Sequence, residues 1–176
     1  MFDNNRVLLI SDEYPPSGGG AGIVARLIKN HLYSSKYNLT LISGGSGFHE
    51  KEIEHIQVNQ KRIVWIYNYF KALKKCEAVS KSPVIVLNDY LSAYVAGIFF
   101  SKKTLSKCII LIHGTDSKFF FEKRTKKHLL FQYKFFYERA IKYCKKIITV
   151  SRYAQETYHE YIPEKIKEIV INKSKV

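Results

Sequence analysis

The chain has 176 residues, enough for one domain with a core of its own, and 46% of them are apolar, which excludes a disordered polymer. With 29 Lys and Arg against 15 Asp and Glu it carries a formal charge of +14, which implies attraction to phosphates, to an anionic membrane face or to acidic substrates, unless the excess serves solubility alone. Cys76, Cys108 and Cys144 form no C-x-x-C pair and no apolar run nears a membrane span, so neither a disulfide framework, a zinc site nor a transmembrane helix is expected.

Asp3 and Arg6 precede only four apolar residues before Ser11, a pattern unlike a signal peptide, and a cytoplasmic location is expected. Val7 to Ile10 is an unbroken apolar run that reads as a strand buried on both faces. Pro15, Pro16, Ser17 and Gly18 to Gly20 interrupt regular structure, after which Ile23, Val24, Leu27, Ile28 and Leu32 keep helical spacing. Leu39 to Ser43 is a second strand, Gly44 to Gly47 a loop, and Ile53, Ile56 and Val58 mark a short third strand. Ile63 to Leu73 reads as an aromatic-rich helix, Val84 to Leu87 as a strand, and Ser92 to Phe100 as a helix.

Cys108 to Ile112 is the next buried strand, followed by one long basic and aromatic helix from about Lys126 to Tyr143. Ile147 to Val150 reads as a strand, Tyr153 to Tyr161 as a helix, and Ile169 to Ile171 as a last short strand. Short unbroken strands alternating with helices require a mostly parallel sheet with helices on both faces, an α/β, Rossmann-like, doubly wound fold in a single domain. Ligands of such sheets bind beyond the carboxyl ends of the strands, which directs attention to Asp12 to Gly22, Asn88-Asp89, His113 to Asp116 and Ser151-Arg152.

The run Gly18-Gly19-Gly20-Ala21-Gly22 opens a helix, where bare backbone N–H groups and the positive helix end suit a phosphate or a sugar hydroxyl. A P-loop would need Gly-Lys-Ser/Thr where this chain has Gly22-Ile23-Val24. A dinucleotide fingerprint would need its first glycine close behind the strand and an acid at the end of strand two, and Ser43-Gly44 stands there. A turn without a ligand stays open beside these. Asp89 could meet a sugar hydroxyl or N-cap the next helix. His113, directly after a buried strand, could donate to a hydroxyl or stabilise charge, or cap a loop carbonyl, while Gly114 lets the chain turn sharply beside it.

Taken in order, Val7 to Pro16 with Gly19-Gly20-Ala21-Gly22, Val84 to Ala93, Ile109 to Asp116, Ala140 to Ser151 and Ile169 to Asn172 resemble the N-terminal half of retaining GT-B-fold glycosyltransferases, the group 1, family 4-like nucleotide-sugar transferases. Departures are Ser35-Lys36-Tyr37 after the first helix, Asn88 where His is common, Cys144 where Asp is frequent, and Lys173-Ser174 in place of a glycine. The resemblance implies an acceptor-side domain, inactive alone, whose donor-binding C-terminal domain is not in this sequence and is supplied in cis or in trans. It implies sugar transfer with retained configuration from a nucleotide-sugar co-substrate to a sugar or lipid-linked hydroxyl in envelope or capsular polysaccharide synthesis, with no cofactor and no bound metal. His113 would be catalytic, and Gly19, Gly20, Gly22, Asp89 and Asp116 would bind substrate. The turns of Gly20 and His113 are expected on one rim of the sheet. The alternative is a non-catalytic module that docks a protein or a membrane.

From Lys118 to Lys146 ten Lys or Arg face only Glu122 and Glu138, interleaved with Phe119 to Phe121, Phe131, Tyr133 and Phe135 to Tyr137. The stretch reads as a core helix with a solvated basic face, or as a surface that contacts an anionic membrane, which would place the enzyme at the inner face of the membrane. Nucleic acid is not expected as a partner, because no helix-turn-helix, RNA-recognition or zinc pattern accompanies the charge.

Overall fold

The computed structural model of the chain describes residues 5–16, 18–45, 48–60, 64–114, 116–122 and 125–175. Ser17, Ser46, Gly47, Ile63 and Thr115, which the sequence reading assigned to turns and a helix start, lie outside them. The chain divides into two compact units, Met1–Asn88 and Asp89–Val176.

In the first unit β1 (Arg6–Ser11), α1 (Gly20–Ser34), β2 (Asn38–Gly44), β3 (Glu54–Val58), α2 (Trp65–Lys75), α3 (Ala78–Lys81) and β4 (Val84–Leu87) follow one another. The strands lie in the order β3-β2-β1-β4, every described pair parallel, with Leu9 opposite both Leu41 and Val86. Because β1 is covered on both faces, Leu8, Leu9 and Ile10 are all fully buried, which accounts for its unbroken apolar run. Val7, Leu9, Tyr14, Ala25, Leu39 and Leu41 form a core cluster, closed by Ile28, Leu32, Ile53 and Val86.

The inward face of α1 differs from its apolar spacing. Ala21, Gly22, Ala25 and Lys29 are buried, whereas Ile23 and Leu27 are 53% and 61% exposed. Lys29 is tolerated inside because its ammonium lies 3.0 Å from Glu50 Oε2 and 3.1 Å from Glu52 Oε2. Small residues on the inner face let the helix lie close to β1 and β2, which it packs on.

The second unit runs α4 (Tyr90–Phe99), α5 (Lys102–Leu105), β5 (Cys108–Ile112), a π-helical turn (Lys118–Glu122), α6 (Lys126–Leu130), α7 (Tyr133–Tyr143), β6 (Lys146–Thr149), α8 (Arg152–Tyr161), α9 (Glu164–Lys173) and β7 (Ser174–Lys175). Its strands lie in the order β5-β6-β7, again parallel. Both units therefore have the Rossmann-like α/β build, parallel strands joined through helices, except that β2 runs on to β3 with no helix among the described residues.

Two expected elements differ here. The expected single helix from Lys126 to Tyr143 is two, broken where Gln132 takes the left-handed conformation (φ 48, ψ 42). Ile169 to Ile171 is helix, not strand. Ile166 and Val170, four apart, share the buried face of α9 while Ile171 is 53% exposed, a helical and not an alternating pattern. Lys173 at its end donates to the carbonyls of Ile141 (3.2 Å), Lys142 (2.7 Å) and Cys144 (2.8 Å), satisfying the last carbonyls of α7.

The aromatic residues of the basic stretch mostly face inward. Phe120 stacks on Tyr137 with centroids 4.0 Å apart, and both meet Tyr94 or Tyr158, all nearly or fully buried. Gly97 permits the close approach of α4 to α7: a Cβ there would lie 2.0 Å from the carbonyl oxygen of Phe136. Arg139 fastens the same contact by donating to the carbonyls of Gly97 and Phe100.

Candidate functional site

In the first unit the chain leaves β1 at Ser11 and enters α1 at Gly20. Gly18 has φ +119, and Gly19 caps α1 without any side-chain cap or acidic residue in the first turn. The Gly19 N–H is not bare, however: it donates to Glu13 Oε2 at 2.8 Å. A carboxylate thus sits at the positive helix end, a partner that the glycine pattern did not reveal. The position of Gly20 is open, with nothing within 4 Å of where a Cβ would stand.

Asn88 at the end of β4 organises this turn. Its buried Nδ2 donates to Ser11 Oγ (2.9 Å) and to the carbonyl of Ala21 (2.8 Å), tying the end of β1 to the first turn of α1. Behind the turn Tyr69 donates to Asp12 Oδ1 at 2.7 Å, and burial raises the Asp12 carboxyl above its ordinary range against the pull of Tyr69 and Gln60.

Beside it lies a polar cluster that sequence reasoning missed, because its members are far apart in the chain. Tyr14 donates to Glu50 Oε1 at 2.6 Å. Burial opposes ionisation of Glu50, but the Tyr14 and Lys29 contacts outweigh it and hold the carboxyl below its ordinary value. The Glu50 N–H donates to His55 Nδ1 at 3.0 Å, which leaves the proton of the neutral ring on Nε2, 2.9 Å from Ser43 Oγ. Burial, then repulsion from the stacked His49, pushes His55 down to about 4.

In the second unit His113 follows β5 directly and is half-buried. Asp116 holds its turn: Oδ2 accepts the N–H groups of His113 (2.9 Å) and Gly114 (3.0 Å). Burial raises the Asp116 carboxyl above its ordinary value, partly offset by those N–H groups and by His113. Gly114 has φ +122, which a side chain would strain, and its Cβ position faces Ala154 of α8 at 3.6 Å. Ser151 caps α8 by accepting the Ala154 N–H at 3.0 Å, and Val150 N–H bonds the carbonyl of Ile112 (3.1 Å), so the His113 turn and the start of α8 sit together at the carboxyl ends of β5 and β6.

Asp89 carries the capping job weighed for it: Oδ1 accepts the Ser92 N–H at 2.8 Å in a reciprocal capping box, and the residue is 2% exposed. Of the expected site residues, Gly19, Gly20 and Gly22 lie in one turn of the first unit, and His113 and Asp116 in one turn of the second. Among the described residues no group of three or more His, Cys, Asp or Glu could hold a metal ion, no helix is long and apolar enough to cross a membrane, and the three cysteines are free and buried.

Residues 18–170 of the sequence match Glycosyltransferase Family 4, a span that takes in the glycine turn, Asn88, the His113 turn and α8. The chain belongs to this family. Comparison with curated protein sequences yields no match. Among solved structures, this family 4 chain is similar to an alpha-glucosyltransferase in complex with UDP and a 13-mer DNA containing a central A:G mismatch, at 14% identity and a TM-score of 0.46, over 84% of this chain and 37% of that one. The chain therefore spans a little over a third of the length of that transferase.

Proposed function

We propose that this chain is the acceptor-side N-terminal domain of a retaining GT-B glycosyltransferase that moves a sugar from a nucleotide-sugar to a hydroxyl acceptor in envelope or capsular polysaccharide synthesis, at an anionic membrane face. In such a transfer the bond from the anomeric carbon to the leaving phosphate breaks, the acceptor oxygen bonds to that carbon, and the acceptor proton passes to the solution or the leaving group. The chain's part is to hold the acceptor and to meet the sugar and its phosphates with fixed donors. The donor nucleotide takes its seat on a second domain, in cis or in trans.

The observation that carries the reading is the family match across both strand-end turns, with His113 pinned at one of them by the Asp116 carboxylate. His113 supplies a hydrogen-bond donor to a sugar hydroxyl or to charge that develops as the phosphate leaves. The backbone of Gly20 and Gly22 approaches the phosphates at the open side of the α1 start, beside the Gly19 N–H that the Glu13 carboxylate already occupies. Asp89 and Asp116 act as positioning residues, fixing the start of α4 and the His113 turn. No step of this reading requires a metal.

The test uses the full-length protein with a panel of nucleotide-sugars. Turnover with retained anomeric configuration in the product, read by NMR, is expected, and His113→Ala should lower kcat by roughly 10²–10³. Wild-type turnover in that variant, with substrate binding unchanged, sinks the assignment of His113.

A further inference from the structure

We propose that the corner formed by α6 and the start of α7 is the membrane-docking surface of this protein, with Leu129, Leu130 and Phe135 entering the headgroup region of an anionic bilayer and Lys126, Lys127 and Lys134 meeting the lipid phosphates. The sequence left the whole aromatic stretch open between a core helix with a solvated basic face and a membrane contact. The fold divides it: Phe120, Tyr133 and Tyr137 face the core, while Leu129 and Leu130 are 77% and 76% exposed and Phe135 is 59% exposed. The break accompanies this division: α6 ends at Leu130 with Phe131 as its C-cap, and α7 begins only at Tyr133, after the left-handed Gln132.

The chemistry around the corner selects the occupant. Leu129 and Phe135 line an open groove of about 320 Å³ together with Lys134 and Lys165. A second groove of about 430 Å³, sharing Phe135, adds Lys102, Arg139 and Lys142. The acid that lines both grooves, Glu138, is paired with Lys165 at 2.6 Å. Apolar tips ringed by cations, with that acid neutralised, complement a surface that offers phosphates around hydrocarbon. A second copy would bring cations against cations, and nucleic acid would be met by leucines that offer no face for base stacking.

The helix α2 exposes aromatics as well, Tyr67 at 54% and Phe70 at 39%, but there each ring carries a lysine of its own helix, Lys71 (4.4 Å) and Lys74 (6.0 Å). This inference gives residues to the membrane face named in the functional reading, yet it rests on exposure and charge and its test needs no sugar transfer.

The experiment is co-sedimentation of the 176-residue chain with vesicles of phosphatidylcholine alone and with a third of phosphatidylglycerol. Binding is expected only to the anionic vesicles and falls as salt rises. Leu129→Ser with Leu130→Ser should weaken it about tenfold or more, and Lys126→Glu with Lys127→Glu and Lys134→Glu roughly a hundredfold, both with unchanged circular dichroism. Tyr67→Ser with Phe70→Ser should leave it intact. Equal binding to neutral vesicles, binding insensitive to the corner variants, loss in the α2 variant, or a dimer in sedimentation velocity that the leucine variants dissolve would each overturn the proposal, as would a leucine-sensitive affinity for short DNA in place of lipid. A chain that fails to bind while the full enzyme turns over removes this surface and leaves the transfer reading standing; vesicle binding by an enzyme that transfers no sugar does the reverse.

Discussion

Asp116 shows how one buried side chain sets the position of another. Its Oδ2 holds two consecutive backbone N–H groups, at His113 and Gly114, so the imidazole leaves β5 on a fixed backbone. Asp116→Ala should cost about 2–3 kcal/mol, read as a lower urea midpoint, because one buried and one partly buried N–H group lose their acceptor. Gly20 gives the opposite case. A methyl there meets nothing within 4 Å, so Gly20→Ala should leave stability unchanged or raise it by up to about 1 kcal/mol. In the proposed transferase the same methyl should lower kcat/KM roughly tenfold if phosphate approaches the backbone at this point; unchanged kinetics would remove Gly20 from the site. His55 makes a pH prediction. Its folded value, about 4, lies below the unfolded 6.5, so between those values the unfolded chain binds more protons. The stability from its neutral form is whole above about 6.5 and is lost as pH falls toward 4, by up to about 3 kcal/mol, and the lowered Glu50 acts in the same direction. A urea midpoint that stays flat from pH 7 to about 4 would contradict this, and His55→Gln should flatten the profile.

At the scale of elements, the contact of α4 with α7 depends on a missing side chain. The added Cβ of Gly97→Ala would lie 2.0 Å from a backbone oxygen, so the helices must separate, and the loss should be about 1–3 kcal/mol in thermal or urea unfolding. The glycine itself was plain in the chain, but no local signal marks it as a crossing point. The strands were legible for a different reason: β1 and β5 are buried on both faces and advertise it as continuous apolar runs. Ile169 to Ile171 misled because three β-branched residues suit a strand, while the helix they occupy is set by Ile166, Val170 and the bonds of Lys173 to the end of α7. The break at Gln132 was invisible, since a left-handed glutamine has no signature in composition.

For the molecule as a whole, one family match over residues 18–170 runs across both compact units. A whole-molecule prediction follows from the proposed division of labour. Calorimetry with nucleotide-sugars should show no saturable binding to the 176-residue chain but tight binding to a protein that also carries the donor domain. Saturable binding to the chain alone would place the donor seat here. The buried strands β1, β2, β4, β5 and β6 and the two strand-end turns were legible in the sequence itself, because apolar runs, glycine runs and caps act over a few residues. The tertiary structure alone decided that Glu13 occupies the Gly19 N–H, that Asn88 and Asp116 hold the turns, and that Leu129, Leu130 and Phe135 face outward while Phe120, Tyr133 and Tyr137 face in. Those outcomes depend on which distant backbone a side chain meets, and the free energy of burial and hydrogen bonding is defined only once that neighbour is in place.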